Sequence, residues 1–99
     1  MENFICIAKF QAKPQKHDEL EARLKELVRL SQMEEGCIDY DLCHAHDSKF
    51  SFFVVEQYKT KEDFEIHSKK EYLTRFIQDL EALVADVSIH VGENTKRVA

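Results

Sequence analysis

The chain is poor in the residues that interrupt secondary structure. Its 99 residues include two glycines, Gly36 and Gly92, and one proline, Pro14. Nearly all of it should therefore lie in regular elements, with no flexible linker and no length for a second core. A single domain over residues 1–99 is expected. Positive charge is also scarce: 14 Lys and Arg face 19 Asp and Glu, a formal net charge of -5. That excludes the phosphate-neutralising surface on which nucleic-acid binding depends, and the Lys96-Arg97 pair is too small to restore it. Apolar runs are short. The longest strictly apolar stretches, such as Phe4 to Ala8, fall far below the ~20 residues that cross a bilayer. Three cysteines, Cys6, Cys37 and Cys43, form an odd set at spacings that fit no zinc motif, so reduced thiols in a cytoplasmic protein are expected. The opening Met1-Glu2-Asn3 is acidic and leads straight into a strand pattern rather than a secretory leader. Tryptophan is absent altogether.

What is present is ordinary globular material, 43% hydrophobic and 33% charged, too apolar for disorder. Residues Phe4 to Ala12 read as a first strand ended by Pro14. Leu20, Leu24, Leu27, Val28 and Ser31 then share one face of a helix. Asp18 with Glu21 suggests a capping box, and Glu19/Arg23 with Glu21/Lys25 suggest pairs on the solvated side. Glu34-Glu35-Gly36 should end this helix, Gly36 taking the left-handed conformation. Two strands follow, about Cys37 to His44 and Phe50 to Tyr58, joined by the turn-forming Ala45-His46-Asp47-Ser48-Lys49. Thr60, three residues before Asp63, marks a second helix start. Phe64, Ser68, Tyr72, Phe76, Leu80 and Leu83 line its face, flanked by His67, Leu73 and Ile77, with a break expected near Lys69-Lys70. Val87, Ile89 and Val91 alternate with Ser88 and His90 in a last strand. The order β-α-β-β-α-β is the α+β, ferredoxin-like arrangement with an antiparallel sheet.

Strand alternation then implies a partner. Phe52 and Val54 point to one face and Phe53 and Val55 to the other, while Phe4, Cys6, Ala8 and Phe10 oppose Ile5 and Ile7. Two helices cover one face only, and an apolar face left in water is uncommon in a monomer. A homodimer packed sheet to sheet covers it; a monomer masking it with its own termini is the alternative.

Several residues could carry chemistry. His67 faces inward one turn after Phe64, where an imidazole could take and return a proton; it could equally be a hydrogen-bonded histidine at the core margin. Glu56 and Tyr58 share a strand face with Phe52 and Val54. A carboxylate ending so apolar a run is either paired and functional or at a solvated strand end. His44 and His46 face the same way beside Cys43, but no third and fourth ligand is evident, so no metal site is expected. No phosphate-binding glycine loop is present either.

The pieces Ala12-Lys13-Pro14, Glu35-Gly36-Cys37-Ile38-Asp39-Tyr40, Phe53-Val54-Val55-Glu56-Gln57-Tyr58, and His67 with Phe76 stand in an order and spacing that resembles the antibiotic biosynthesis monooxygenase (ABM) domain of the dimeric α/β-barrel superfamily. The likeness runs over about residues 4 to 91. It implies a ferredoxin-like homodimer and oxygenation of an electron-rich quinol or polycyclic phenol by dioxygen, with no metal, flavin or haem. Carried onto this chain, it makes His67 the base or proton shuttle, Glu56 its partner and Tyr58 a donor to substrate. Lys9, Tyr40, Phe52, Tyr72 and Phe76 become the expected substrate contacts. Many oxygenating members carry Trp where this chain has Tyr58. Haem-degrading relatives need that Trp and a strand-one Asn, where Lys9 stands, so haem degradation is disfavoured. The Tyr58 and His67 pair is also similar to members that isomerise a phosphorylated, autoinducer-2-like sugar, for which Lys69, Lys70 or Arg75 could hold the phosphate. A non-catalytic, ligand-binding dimer on the same fold is the third possibility.

Overall fold

The computed structural model describes residues 3–95; the Lys96-Arg97 pair and the first two residues lie outside this range. The elements are β1 (Phe4–Ala12), α1 (His17–Ser31), β2 (Cys37–His44), β3 (Ser51–Tyr58), α2 (Lys61–Ser68), α3 (Glu71–Leu83) and β4 (Val84–Glu93). All neighbouring strands are antiparallel, in the order β2-β3-β1-β4. This is the expected ferredoxin-like α+β fold. The expected break at Lys69-Lys70 divides the second helical segment in two, and β4 starts directly where α3 ends, earlier than the alternation alone suggests.

Three local readings are corrected. No capping box forms at Asp18: α1 starts at His17, and its N-terminus has no side-chain cap. Arg23 does not pair with Glu19. It reaches Asp79 on α3 at 2.8 Å and Glu26 at 3.5 Å, while its guanidinium lies 5.6 Å from the Phe76 ring. Gly36 is not left-handed; the residue with positive φ is Gln15, at 66°, after Pro14. Gly36 is required for another reason. A Cβ there would sit 2.2 Å from Cγ of Asp63, the residue whose backbone N–H bonds Thr60 Oγ1 at the start of α2.

The core lies between helices and sheet. Phe4, Cys6, Ala8 and Phe10 of β1 and Phe52, Val54, Glu56 and Tyr58 of β3 are buried on the helical side, facing Leu20, Leu24 and Leu27 of α1. Phe64 packs on Phe4 and Tyr58, and Phe76 meets Phe10 edge-on. The opposite face stays open: Ile7 and Val55 are exposed in an apolar patch with Ile5 and Phe53, and the Lys9 ammonium lies 5.3 Å from the Phe53 ring. Asp39 and Asp41 of β2 and Ser88 and His90 of β4 flank the patch. Cover is also incomplete on the helical side. Ile89 of β4 pairs with the inward-facing Ala8, yet it is 61% exposed, as is 58% of Ile77 on α3. Among the described residues, no helix is long and apolar enough to cross a membrane.

Candidate active site

Three elements and one turn converge on His67. Strand β3 presents Glu56 and Tyr58 to the helical side, with Cys6 of β1 and Tyr40 of β2 directly opposite Glu56 across the sheet. The Thr60 cap sets where α2 begins, and so which residue of its second turn turns inward. That residue is His67, 2% exposed. The turn after α1 brings Glu34 against it from the other side.

The result is a line of polar contacts on either side of the imidazole, hydrogen-bonded through Nδ1. His67 Nδ1 lies 2.8 Å from Glu34 Oε2, which also accepts the Tyr72 hydroxyl. Tyr72 Oη is 3.3 Å from Ser31 Oγ as well. On the opposite side, His67 Nε2 is 3.8 Å from Glu56 Oε1, and Glu56 accepts the Tyr58 hydroxyl at 2.5 Å. Burial raises the Glu56 carboxyl above its ordinary range, a shift opposed by the Tyr58 hydrogen bond and by His67. Burial beside Glu56 pushes the Cys6 thiol up to about 12 and also raises the Tyr58 and Tyr40 phenols. None of the three is therefore an anionic nucleophile at neutral pH.

Glu56 and His67 form the polar floor of a cavity of about 190 Å³ between α2, α3 and the sheet. Its walls are apolar, including Phe64, Leu73 and Phe76, with Ile77 and Ile89 at the exposed rim. Among the described residues, no lysine or arginine lines it.

The expected site residues divide against this geometry. His67, Glu56, Tyr40 and Phe76 line the cavity. Tyr58 lies beneath the floor with its hydroxyl given to Glu56, so it supports the carboxylate rather than donating to a substrate. Phe52 is fully buried against His44 and is core, not wall. Lys9 is on the open face, because it shares the parity of Ile5 and Ile7. Tyr72 reaches Glu34 behind the imidazole and lies outside the cavity wall. The closer partner of His67 is Glu34, which the sequence reading missed. Glu34 sits in a turn with no periodicity, and its partner is 33 residues away. The available signal was indirect: an inward histidine beside a buried carboxylate needs a second partner for its other nitrogen. His44 contacts Glu21 at 3.3 Å near the surface. No cluster of three or more metal-ligating side chains occurs among the described residues.

The ABM family model, described as antibiotic biosynthesis monooxygenase, matches residues 3–79. The chain belongs to the antibiotic biosynthesis monooxygenase family. A comparison with curated proteins returned no match. Among solved structures, the Pseudomonas aeruginosa protein PA3566 is 30% identical, with 96% of each chain covered and a TM-score of 0.89. Shewanella oneidensis SO0527 is 26% identical over 94% of this chain and 91% of its own, at a TM-score of 0.91. A structure named simply antibiotic biosynthesis monooxygenase superposes at 0.85 with 24% identity, covering 93% of this chain and 98% of its own, a likeness of fold. Within the ABM fold of this chain, then, the polar groups that can touch a bound molecule gather at the floor of one apolar cavity.

Proposed function

We propose that this ABM protein is a cofactor-independent monooxygenase acting on a small electron-rich phenol or quinol, with His67 as its base. The observation that carries this reading is a buried imidazole, flanked by two carboxylates, at the floor of a cavity whose other walls are mostly apolar. Such a site binds a flat apolar ring, excludes water and gives one acidic hydroxyl a proton acceptor. The substrate hydroxyl passes its proton to His67 Nε2. The resulting anion gives one electron to dioxygen, and the two radicals combine as a peroxide on a ring carbon. His67 returns its proton to that peroxide. Loss of the ring hydrogen then breaks the O–O bond, leaving one oxygen on the ring as a carbonyl and releasing the other as water. The protein contributes a base, a dry pocket and a fixed orientation, and the substrate contributes the electrons.

Cavity size refines the substrate. A pocket of roughly 150 Å³ holds benzene, so about 190 Å³ suits a single ring, or two rings reaching the rim at Ile77 and Ile89. This favours one- and two-ring quinols over larger polycyclic phenols. A phosphorylated sugar finds less support. Lys70 lines a different groove with Glu34 and Lys59, and Arg75 pairs with Glu71 at 2.7 Å. The apolar patch of Ile5, Ile7, Phe53 and Val55 at the middle of the open sheet face supports assembly as a homodimer.

The test is dioxygen consumption by EDTA-treated protein with menadiol as probe, above the quinol's own autoxidation. His67→Ala should lower turnover by roughly a hundredfold with the fold intact. No consumption by the unmodified protein, or full activity in His67→Ala, would sink this mechanism. A ligand-binding module would instead hold its ligand nearly unchanged after that substitution.

A further inference from the structure

The turn between α1 and β2 places Glu34 where it can decide which nitrogen of His67 is the base. Oε2 of Glu34 meets Nδ1 at 2.8 Å, and the same oxygen already accepts the Tyr72 hydroxyl. Both carboxylates accept from a tyrosine and offer the imidazole an acceptor, but only Glu34 is within hydrogen-bond distance, 2.8 Å against 3.8 Å for Glu56. The hydrogen of the neutral ring therefore goes to Nδ1, and its lone pair stays on Nε2. That nitrogen faces Glu56 and the cavity. The ring packs among Tyr40, Tyr58 and Tyr72, with centroids 5.6, 5.4 and 6.2 Å away, which resists a flip that would exchange the nitrogens.

The two carboxylates on this imidazole are also differently housed. Glu56 is sealed beneath the cavity, 5% exposed, with Cys6, Tyr40 and Tyr58 around it. Glu34 has the imidazole on one side and borders, on the other, a groove shared with Lys59 and Lys70. Of the two, only Glu34 also borders an open groove, which Glu35 and Asp63 line together with the two lysines.

We propose that Glu34 is the positioning residue of this site: it holds His67 in the Nδ1–H tautomer, aims Nε2 at the cavity as the free base, and stabilises the imidazolium formed when Nε2 takes the substrate's proton. Tyr72 fixes the Glu34 rotamer. This rests on His67 being the base, and assigns to Glu34 the orienting role that sequence reasoning gave to Glu56. No group other than the substrate hydroxyl and His67 exchanges a proton in the step, so Glu34 acts through the ring and does not touch the substrate.

Nitrogen-15 spectra of the His67 imidazole report the tautomer without any substrate. The unmodified protein should show Nδ1–H. Glu34→Gln can turn its amide N–H toward Nδ1, so the ring should change to the Nε2–H tautomer. Menadiol-dependent kcat should then fall by on the order of 10²–10⁴-fold, as when an amide replaces the orienting carboxylate of a triad, while KM moves less than about threefold. Glu34→Asp should recover part of the rate by restoring the charge. An unmodified protein resting as Nε2–H overturns the proposal, even if Glu34→Gln does not fold. So does a folded Glu34→Gln with unchanged tautomer or unchanged kcat. If the unmodified protein consumes no dioxygen, the monooxygenase reading fails, and the spectra still decide whether Glu34 sets the tautomer.

Discussion

Replacing Gly36 by alanine should damage the site from a distance of several residues, and the structure allows the size to be worked out. The added methyl carbon would stand 2.2 Å from Cγ, 2.3 Å from Oδ1 and 2.5 Å from Cβ of Asp63. Carbon atoms pack best at about 3.5–4.0 Å, so the overlap exceeds 1 Å. Because Cβ is among the clashing atoms, a rotation of the carboxyl group cannot remove it. Either α2 or the Gly36 turn must move. The Gly36 carbonyl accepts from Lys59 N–H at 3.0 Å, which ties the turn to the end of β3, so α2 is the side that yields. Overpacking costs about 1–3 kcal/mol, and disturbing the Thr60 cap about 1 kcal/mol more. A loss of about 2–4 kcal/mol should lower Tm by roughly 10–25 °C in a domain of this size. Thr60→Ala, which removes only the cap, should lose about 1 kcal/mol. Urea and thermal denaturation of the three proteins measure this order directly. A Gly36→Ala protein melting within about 3 °C of the parent would refute the claim that this glycine exists for close approach.

Stability should also carry the signature of Glu56. Its folded-state pKa is raised by burial, so its contribution to stability is fully present below the ordinary carboxylate pKa of 4.5 and is lost as pH rises through the folded value. Glu56→Gln should therefore gain on the parent protein as pH rises from 5 to 7.5 in urea titrations, and a gap of the opposite trend would contradict the assigned cause. Cys6, buried and with its thiol pushed up to about 12, should resist iodoacetamide at pH 8 until the protein is unfolded. Labelling of Cys6 at the rate of a free thiol would refute its placement. Val55→Lys puts a charge into the apolar patch beside Ile7, and should halve the sedimenting mass of the proposed dimer without changing the far-UV spectrum. A parent protein that sediments as a monomer removes the basis for that expectation.

The fold was legible because its signals are periodic. Alternation in β1 and β3 separated two faces, and the spacing of Leu20, Leu24 and Leu27 fixed the buried side of α1. The same parity places Lys9 with Ile5 and Ile7, so its expected contact with substrate conflicted with a pattern already in hand. Gly36 was read by its freedom of backbone rotation, whereas its role depends on Asp63, 27 positions later, which no local rule reports. Glu56 and His67 stood out as polar residues on apolar faces. Glu34 did not, because an acid in a polar turn looks solvated until the histidine of another helix is seen to land on it. Tyr58 was correctly placed beside Glu56, but only coordinates show that its hydroxyl is already committed.

Strand β3 has a further consequence for how such a protein can change over time. Phe53 and Val55 lie on the open face, while Val54 is buried in the core and Glu56 lines the cavity floor. Adjacent codons thus answer to different demands, one set by whatever covers the sheet and the other by the cavity beneath the helices. The peptide planes joining them are shared, so a substitution that tilts Val55 to suit a new neighbour also tilts Glu56 relative to His67. Drift on the outer surface of this strand is therefore restrained by the geometry between Glu56 and His67, and variants selected for altered association should carry second-site changes near His67.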